Sequence, residues 1–517
     1  MTTITCRLLA PVICLAGLSV PAVGQTVPDA RPANYAVVAD EIAQSYHDAK
    51  LFDGVVIVAT TSEILYQGAF GMANIPFDVP YSLDTKVRLA SVSKPFTSAL
   101  ILRLEEEGLL STSQTVAEIL PEFAGKPSAQ VTVDQLLSHR SGIPNYQYKP
   151  PYQALQARVL AAGMAVLQVS LVDMTNTFID EPLEFKSGEN YSYSNANYIL
   201  LQMIVEAELG KSFDLALQHY IFDPVEMKNS GTLSYRSVVP GLADGYVRMS
   251  GGFQSASQSQ FVGVAAPGGI YSTAGDMVQW FQTLFSDRFF KNTETLEKMT
   301  VPRAVAYNGA SFIGYGLFTS SIDVNGNDVR TIGHDGWGPP YTANLQYFPE
   351  TGLIVFAADS IGGIGSATYG ETVRLGEDLV RASYGVSPPR PQTPADLILA
   401  DLQQSHGLEG AIKEFEEQIV SGKITKLNES EINTLGYTYL AQGDMKEAVA
   451  VFALNTRLFP ESANAFDSLG ETRAAIEDWE EAISAYRAAL ELNPDNARIQ
   501  EVLRALEERA REESAPQ

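Results

Sequence analysis

Cysteine is almost missing from this chain. Its 517 residues contain two, Cys6 and Cys14, and both fall within the first 24 positions. Once that segment is removed, as its pattern suggests below, no thiol remains. Disulfides, a thiol nucleophile and cysteine metal sites are then excluded. Histidine is nearly as scarce. The five, His47, His139, His219, His334 and His406, show no His-x-x-x-His and no carboxylate at a ligand spacing, so neither a metal nor another cofactor is expected. Positive charge is also short, with 35 Lys and Arg against 61 Asp and Glu and a formal net charge of −26. That balance argues against a nucleic-acid partner and against docking on anionic lipid.

Long apolar runs are absent too. The stretch over residues 8–20 follows a single cation, Arg7, and closes on Ala22-Val23-Gly24. It is too short to span a bilayer and reads as a secretory signal over residues 1–24. Cys14 follows Ile13, where a lipoprotein signal needs a small residue, so no stable membrane anchor is expected. What is present is a folding composition, 45% hydrophobic and 9% aromatic.

The chain divides at residues 385–394, GVSPPRPQTP. Clustered prolines disfavour helix and sheet and make a semi-rigid spacer. Residues 25–384 before it form the expected catalytic domain, and residues 395–517 after it turn to Ala, Leu and Glu at helical spacing. There Leu435/Leu469, Gly436/Gly470, Ala448/Ala482, Phe452/Tyr486 and Pro460/Pro494 each recur after 34 residues. That is the tetratricopeptide period, with small residues where paired helices meet and a proline ending each unit. Residues 395–421 read as a degenerate earlier repeat and 495–511 as a polar capping helix. Such an array offers a groove for a protein or peptide partner, or serves only to stabilise the enzyme.

Three short motifs carry the chemistry. Ser91-Val92-Ser93-Lys94 lies where an extended approach gives way to an apolar helical run over residues 86–104. Ser91 then falls near a helix start, where the dipole favours negative charge on its oxygen, and Lys94 shares its face one turn on. A serine hydroxyl needs such a neighbouring base to become a nucleophile. Tyr193-Ser194-Asn195 follows 102 residues after Ser91, and His334-Asp335-Gly336 a further 141 residues on. Residues 343–348 and 353–358 read as strands either side of a Pro349-Glu350-Thr351-Gly352 turn.

In order and approximate spacing these boxes resemble those of the class C β-lactamase, penicillin-binding and D-peptidase superfamily of serine hydrolases. Residues 131–146, VTVDQLLSHRSGIPNY, residues 268–273 and Tyr315-Gly316-Leu317 are similar to the text between its boxes, and the likeness runs from about residue 34 to 384. The resemblance implies an α+β fold: an antiparallel sheet flanked by helices, with a helical subdomain over about residues 104–280, here followed by an all-α solenoid. It implies that Ser91 becomes the acyl-enzyme and that Tyr193, its pKa lowered by nearby cationic charge, acts with Lys94 as general base. Asn195 would hold the substrate's amide. The backbone N–H groups of Ser91 and Trp337 would bind the oxyanion, with Gly336 allowing close approach. It also implies a bacterial periplasmic or secreted enzyme.

The third box departs from the Lys-Thr/Ser-Gly of β-lactamases. His334 replaces a permanent cation, and Asp335 adds a negative charge that strand alternation points away from the cleft. Both weaken attraction for the carboxylate of a penicillin, so a peptide, D-amino-acid amide or ester is the expected substrate. A true β-lactamase and a silent scaffold acting through its repeats are the alternatives. Trp337 lines the substrate pocket or simply packs. His139 reads as a structural hydrogen-bonder, Lys186-Ser187-Gly188 as a turn before the tyrosine box, and the Gly-rich residues 361–370 as a loop.

Overall fold

The computed structural model describes residues 31–161, 169–234, 238–249, 252–256, 264–286, 288–362 and 370–513. The signal-like segment and most of the Gly-rich stretch lie outside the described residues.

Eight antiparallel strands make the central sheet: β1 (Gly54–Ala59), β2 (Ile64–Ala69), β3 (Ala304–Ala306), β4 (Ser311–Ile313), β5 (Phe318–Val324), β6 (Asn327–Gly338), β7 (Tyr341–Phe348) and β8 (Leu353–Asp359). Their order is β3-β4-β5-β6-β7-β8-β1-β2. The expected hairpins are both present, β1 with β2 and β7 with β8. Central strands β1 and β8 are buried along their whole length, as strands covered on both faces must be. Their side chains alternate: Val55, Ile57, Ile354 and Phe356 enter one core, Val56, Val58, Val355 and Ala357 another.

Among the helices of this domain are α1 (Tyr35–Asp48), α2 (Lys94–Glu106), α3 (Asn195–Leu209), α4 (Ala274–Leu284) and α5 (Glu371–Ser383). α1 and α5 cover the second core, α1 through Tyr35, Ala39, Ala43 and Tyr46, a stripe at helical spacing. α2, α3 and α4 belong to a larger cluster in which Phe96, Leu100, Tyr198, Leu201 and Trp280 are fully buried. The first core therefore merges with the helical lobe, and the chemistry-bearing motifs sit where sheet and lobe meet.

Beyond the prolines lies a stack of helices: α6 (Ala395–Val420), α7 (Glu429–Gln442), α8 (Met445–Leu458), α9 (Ala463–Ala475), α10 (Trp479–Leu492) and α11 (Ala497–Glu513). α6 breaks at Gly407, whose φ of 66° and ψ of 172° are not helical, so residues 395–420 form two helical stretches. A Cβ on Gly436 would meet the Phe452 ring at 2.6 Å, and one on Gly470 the Tyr486 ring at 3.0 Å. The 34-residue repetition of glycine and aromatic is thus one packing contact made twice. Lys50, two residues past the end of α1, pairs with Asp401 of α6, tying the stack to the sheet domain.

Candidate active site

Ser91 lies in a short 3-10 turn, Ala90–Ser93, that runs directly into α2. Ala90 holds φ at +45°, a backbone costly for alanine and of the kind found where a fold holds reacting groups. Lys94, the first residue of α2, is completely buried. Its Nζ lies 3.0 Å from Ser91 Oγ, 2.8 Å from Asn195 Oδ1 and 2.6 Å from the Pro267 carbonyl. The Tyr193 hydroxyl donates to Ser91 Oγ at 2.9 Å. Residues 91, 94, 193 and 195 therefore meet within one hydrogen-bonded cluster.

Burial holds the Lys94 ammonium far below the usual lysine range, opposed only partly by the charge of Asp335. Two acceptors, Asn195 Oδ1 and the Pro267 carbonyl, use both N–H bonds of a neutral amine. In that neutral form the remaining lone pair would be left for the Ser91 hydroxyl, 3.0 Å away. Burial moves Tyr193 the other way, well above the ordinary phenol value, with Tyr307 and Asp335 adding to the rise. The expectation of a lowered phenol pKa is corrected here. Desolvation of the phenol dominates the shift.

Gly336 on β6 faces the nucleophile turn. A Cβ there would stand 2.2 Å from the Leu89 carbonyl and 3.1 Å from Ser91 N, so only glycine lets the strand come this near. Trp337 follows it and is 46% exposed, which places its ring at the rim and not in the core.

His334 is buried, and burial holds its pKa down to about 4. Its Nδ1 donates to the Asp335 carbonyl, so the lone pair is on Nε2, which has no hydrogen-bond partner among the described residues. Its ring centroid lies 6.4 Å from that of Tyr193. Asp335 lines a cavity of about 260 Å³ with Gly336, Thr342 and Arg374, against the start of α5. It thus occupies the opposite side of β6 from His334, as strand alternation requires.

Two neighbours carry more than the sequence disclosed. Gln147 Oε1 accepts from Asn195 Nδ2 at 2.8 Å, so Asn195 is fixed between Gln147 and Lys94. No motif marks this glutamine, since its partner is distant in sequence. His139 is fully buried beneath Tyr193, with ring centroids 4.4 Å apart. Its carbonyl accepts from Ser192 N at 3.0 Å and its Nδ1 from Ser194 N at 3.2 Å. It braces the backbone on both sides of the tyrosine, a more specific task than that of a generic hydrogen-bonder. Ser187 donates to the Ser141 carbonyl, and Gly188 turns with φ +91°, so Lys186-Ser187-Gly188 is a turn away from the β6 position.

Among the described residues no group of three His, Cys, Asp or Glu side chains is arranged to hold a metal ion, and no helix is long and apolar enough to cross a membrane.

Comparison with known proteins places this arrangement. The tetratricopeptide repeat profile matches residues 465–499. Penicillin-binding protein 4* of Bacillus subtilis is 28% identical over 323 residues, covering 60% of this chain and 68% of that protein. Esterase EstB of Burkholderia gladioli is 30% identical over 195 residues, covering 37% of this chain and half of the esterase. The crystal structure of a penicillin-binding protein from Bacillus halodurans superposes with a TM-score of 0.54 at 25% identity, over 62% of this chain and 94% of that one. The Beta-lactamase family profile matches residues 38–359, more than half of the sequence, and the chain belongs to that family of serine hydrolases.

Proposed function

We propose that the protein hydrolyses an ester, peptide or D-amino-acid amide through an acyl-enzyme on Ser91, with neutral Lys94 as the general base. The observation that carries this reading is the Lys94 hydrogen-bond set. Lys94 Nζ reaches Ser91 Oγ, Asn195 Oδ1 and the Pro267 carbonyl, and once neutral, with its two N–H bonds on the latter two, it is placed to accept the Ser91 proton.

In the first step Ser91 Oγ bonds to the acyl carbon and its proton passes to Lys94. The carbonyl oxygen becomes an oxyanion, and the backbone N–H groups of Ser91 and Trp337 are the donors assigned to it. When the tetrahedral species collapses, the bond to the leaving oxygen or nitrogen breaks. That atom takes a proton from the Tyr193 hydroxyl, and the Lys94 ammonium restores it. Tyr193 is suited to this because its raised pKa keeps it protonated. Water then attacks the acyl-enzyme with the same relay run in reverse, and the bond to Ser91 breaks.

His334 is uncharged at neutral pH and Asp335 is the charge that reaches Lys94. This favours substrates without a carboxylate beside the scissile bond, and so an esterase or amidase over a β-lactamase. The apolar segment over residues 8–20 supports export to the periplasm or beyond. The repeats support a protein partner.

The test is intact-mass spectrometry after incubation with a fluorophosphonate. One adduct per chain, mapped by digestion to Ser91, is expected. A folded protein that takes no adduct would instead be a scaffold working through its repeats.

A further inference from the structure

A run of aromatic rings leads away from the nucleophile. Tyr193, bonded to Ser91, packs with Tyr191 against a small apolar cluster of Ala306, Ile313 and Phe318. The Phe318 ring stands edge-on to His334, with centroids 5.0 Å apart. Tyr307 closes the run, 5.3 Å from Phe318 and 6.0 Å from Tyr191. Its side of the run is open, since Tyr307 is 54% exposed. The backbone there is unusual as well. Tyr307 and Asn308 hold φ at +48° and +56° before Gly309 at +95°, and a bulky residue rarely adopts such a conformation. A tyrosine held there between β3 and β4 places a large ring beside the site at a cost in backbone strain.

The chemistry of this wall is apolar. Its open face is the Tyr307 ring beside the half-buried Tyr191, both packed on the buried Phe318, Ala306 and Ile313. Asp335 is the charge that Lys94, Tyr193 and Tyr307 each feel, and it repels an anion. The wall also begins at Tyr193, the group from which a departing oxygen or nitrogen takes its proton. That fixes its side of the scissile bond.

We infer that the Tyr191–Tyr307–Phe318 wall is the leaving-group subsite and that it selects an uncharged aromatic alcohol or amine portion of the substrate. The inference rests on the acyl-enzyme reading above. It adds a substrate class, in which the ring of the departing group stacks on Tyr307 and is desolvated there.

The test uses the full chain and four esters of similar intrinsic reactivity. 3-Phenylpropyl acetate and propyl acetate differ only by a ring on the alcohol. Propyl 3-phenylpropanoate carries the ring on the acyl side, and propyl hydrogen succinate a carboxylate there. The phenylpropyl ester is expected to show kcat/KM at least tenfold above propyl acetate, most of it in KM, as the burial of a ring in a pocket gives. Tyr307→Ser should remove that advantage, lowering kcat/KM far more on the phenylpropyl ester than on propyl acetate, while Tyr307→Phe should retain it. Tyr307 is exposed, so folding should survive both changes. Equal loss on both acetates, no effect on either, or a preference for the ring or the carboxylate on the acyl side would overturn the subsite. Failure of the acyl-enzyme reading looks different: no ester is turned over and Ser91 takes no fluorophosphonate.

Discussion

In the sheet domain a strand's neighbours come from opposite ends of the sequence. Val56 on β1 pairs with Gly68 on one side and with Ala357 on the other. In the repeat stack each helix packs on those next to it in the chain, and Phe452 meets Gly436 only sixteen positions away. The first arrangement can bring Ser91, Tyr193 and His334 to one place. The second builds an extended surface from local parts, and its stability is a sum over neighbouring units. Chemistry that needs sub-ångström positioning belongs in the first, and damage in the second should stay where it is made.

The sharpest way to break that contrast is to disable each region and read the other. Ser91→Ala should abolish both the fluorophosphonate adduct and ester turnover. Lys94→Met should lower kcat/KM by roughly 10²–10⁴-fold, with the thermal transition of the sheet domain retained. In the repeats, Phe452→Ala should cost about 3–5 kcal/mol of local stability. It should leave turnover within twofold of the parent, measured below the melting of the stack. Loss of turnover in Phe452→Ala would show that the two regions fold as one unit.

Two glycines make a finer comparison. In Gly336→Ala the new methyl would press on the Leu89 carbonyl and Ser91 N. Strand and nucleophile must then part, and loss of one oxyanion contact is worth about 10²–10³-fold in kcat. In Gly436→Ala the methyl meets the Phe452 ring, an overpacking of about 1–3 kcal/mol that melts the repeats earlier without touching kcat. Assay of both variants by ester kinetics and by circular-dichroism melting separates the two effects.

The pH profile tests which group is the base. Lys94 has its pKa lowered by burial, so its active neutral form grows as pH rises through that value. The rate should climb with pH and reach a plateau well below the ordinary lysine range. A rate still climbing beyond the ordinary phenol range, with no plateau below it, would instead assign the base to Tyr193. His334, already neutral above about pH 4, should add no step near neutrality.

The contrast in range also explains what could be read without coordinates. The repeats announce themselves because the same contact recurs at a fixed offset, Gly436 with Phe452 and then Gly470 with Tyr486. The strands of β1, β2, β7 and β8 follow from alternation and turn residues. Ser91, Lys94, Tyr193 and Asn195 are visible as short motifs in a known order. Gln147 and Tyr307 are not, because their partners are 48 and 116 positions away in Asn195 and Tyr191, with no local pattern around them. The sign of the Tyr193 shift differs from the sequence expectation for a related reason. Proximity to a lysine is legible in the sequence, but the burial of the phenol that outweighs it is a property of the whole fold.

The smallest expected effect lies at the junction of the two regions. Asp396 opens α6 and is buried, and burial together with the nearby Glu431 raises its pKa to about 7. Glu431 also accepts from Ala395 N at 2.8 Å. In the unfolded chain an aspartate titrates near 3.9, so between about pH 4 and 7 the folded state holds a proton that the unfolded state has released. Stability contributed here is therefore present below pH 4, falls as pH rises towards 7, and stays lost above it, by up to about 4 kcal/mol. Asp396→Asn keeps the shape without the charge. Its melting temperature should match the parent at pH 4 and exceed it by several degrees at pH 8. If the gain at pH 8 appears in the repeat transition alone, the linker insulates the sheet domain from its appendage. If both transitions move together, the Lys50–Asp401 pair and its surroundings join them into one cooperative body, and the repeats help to hold the active site in place.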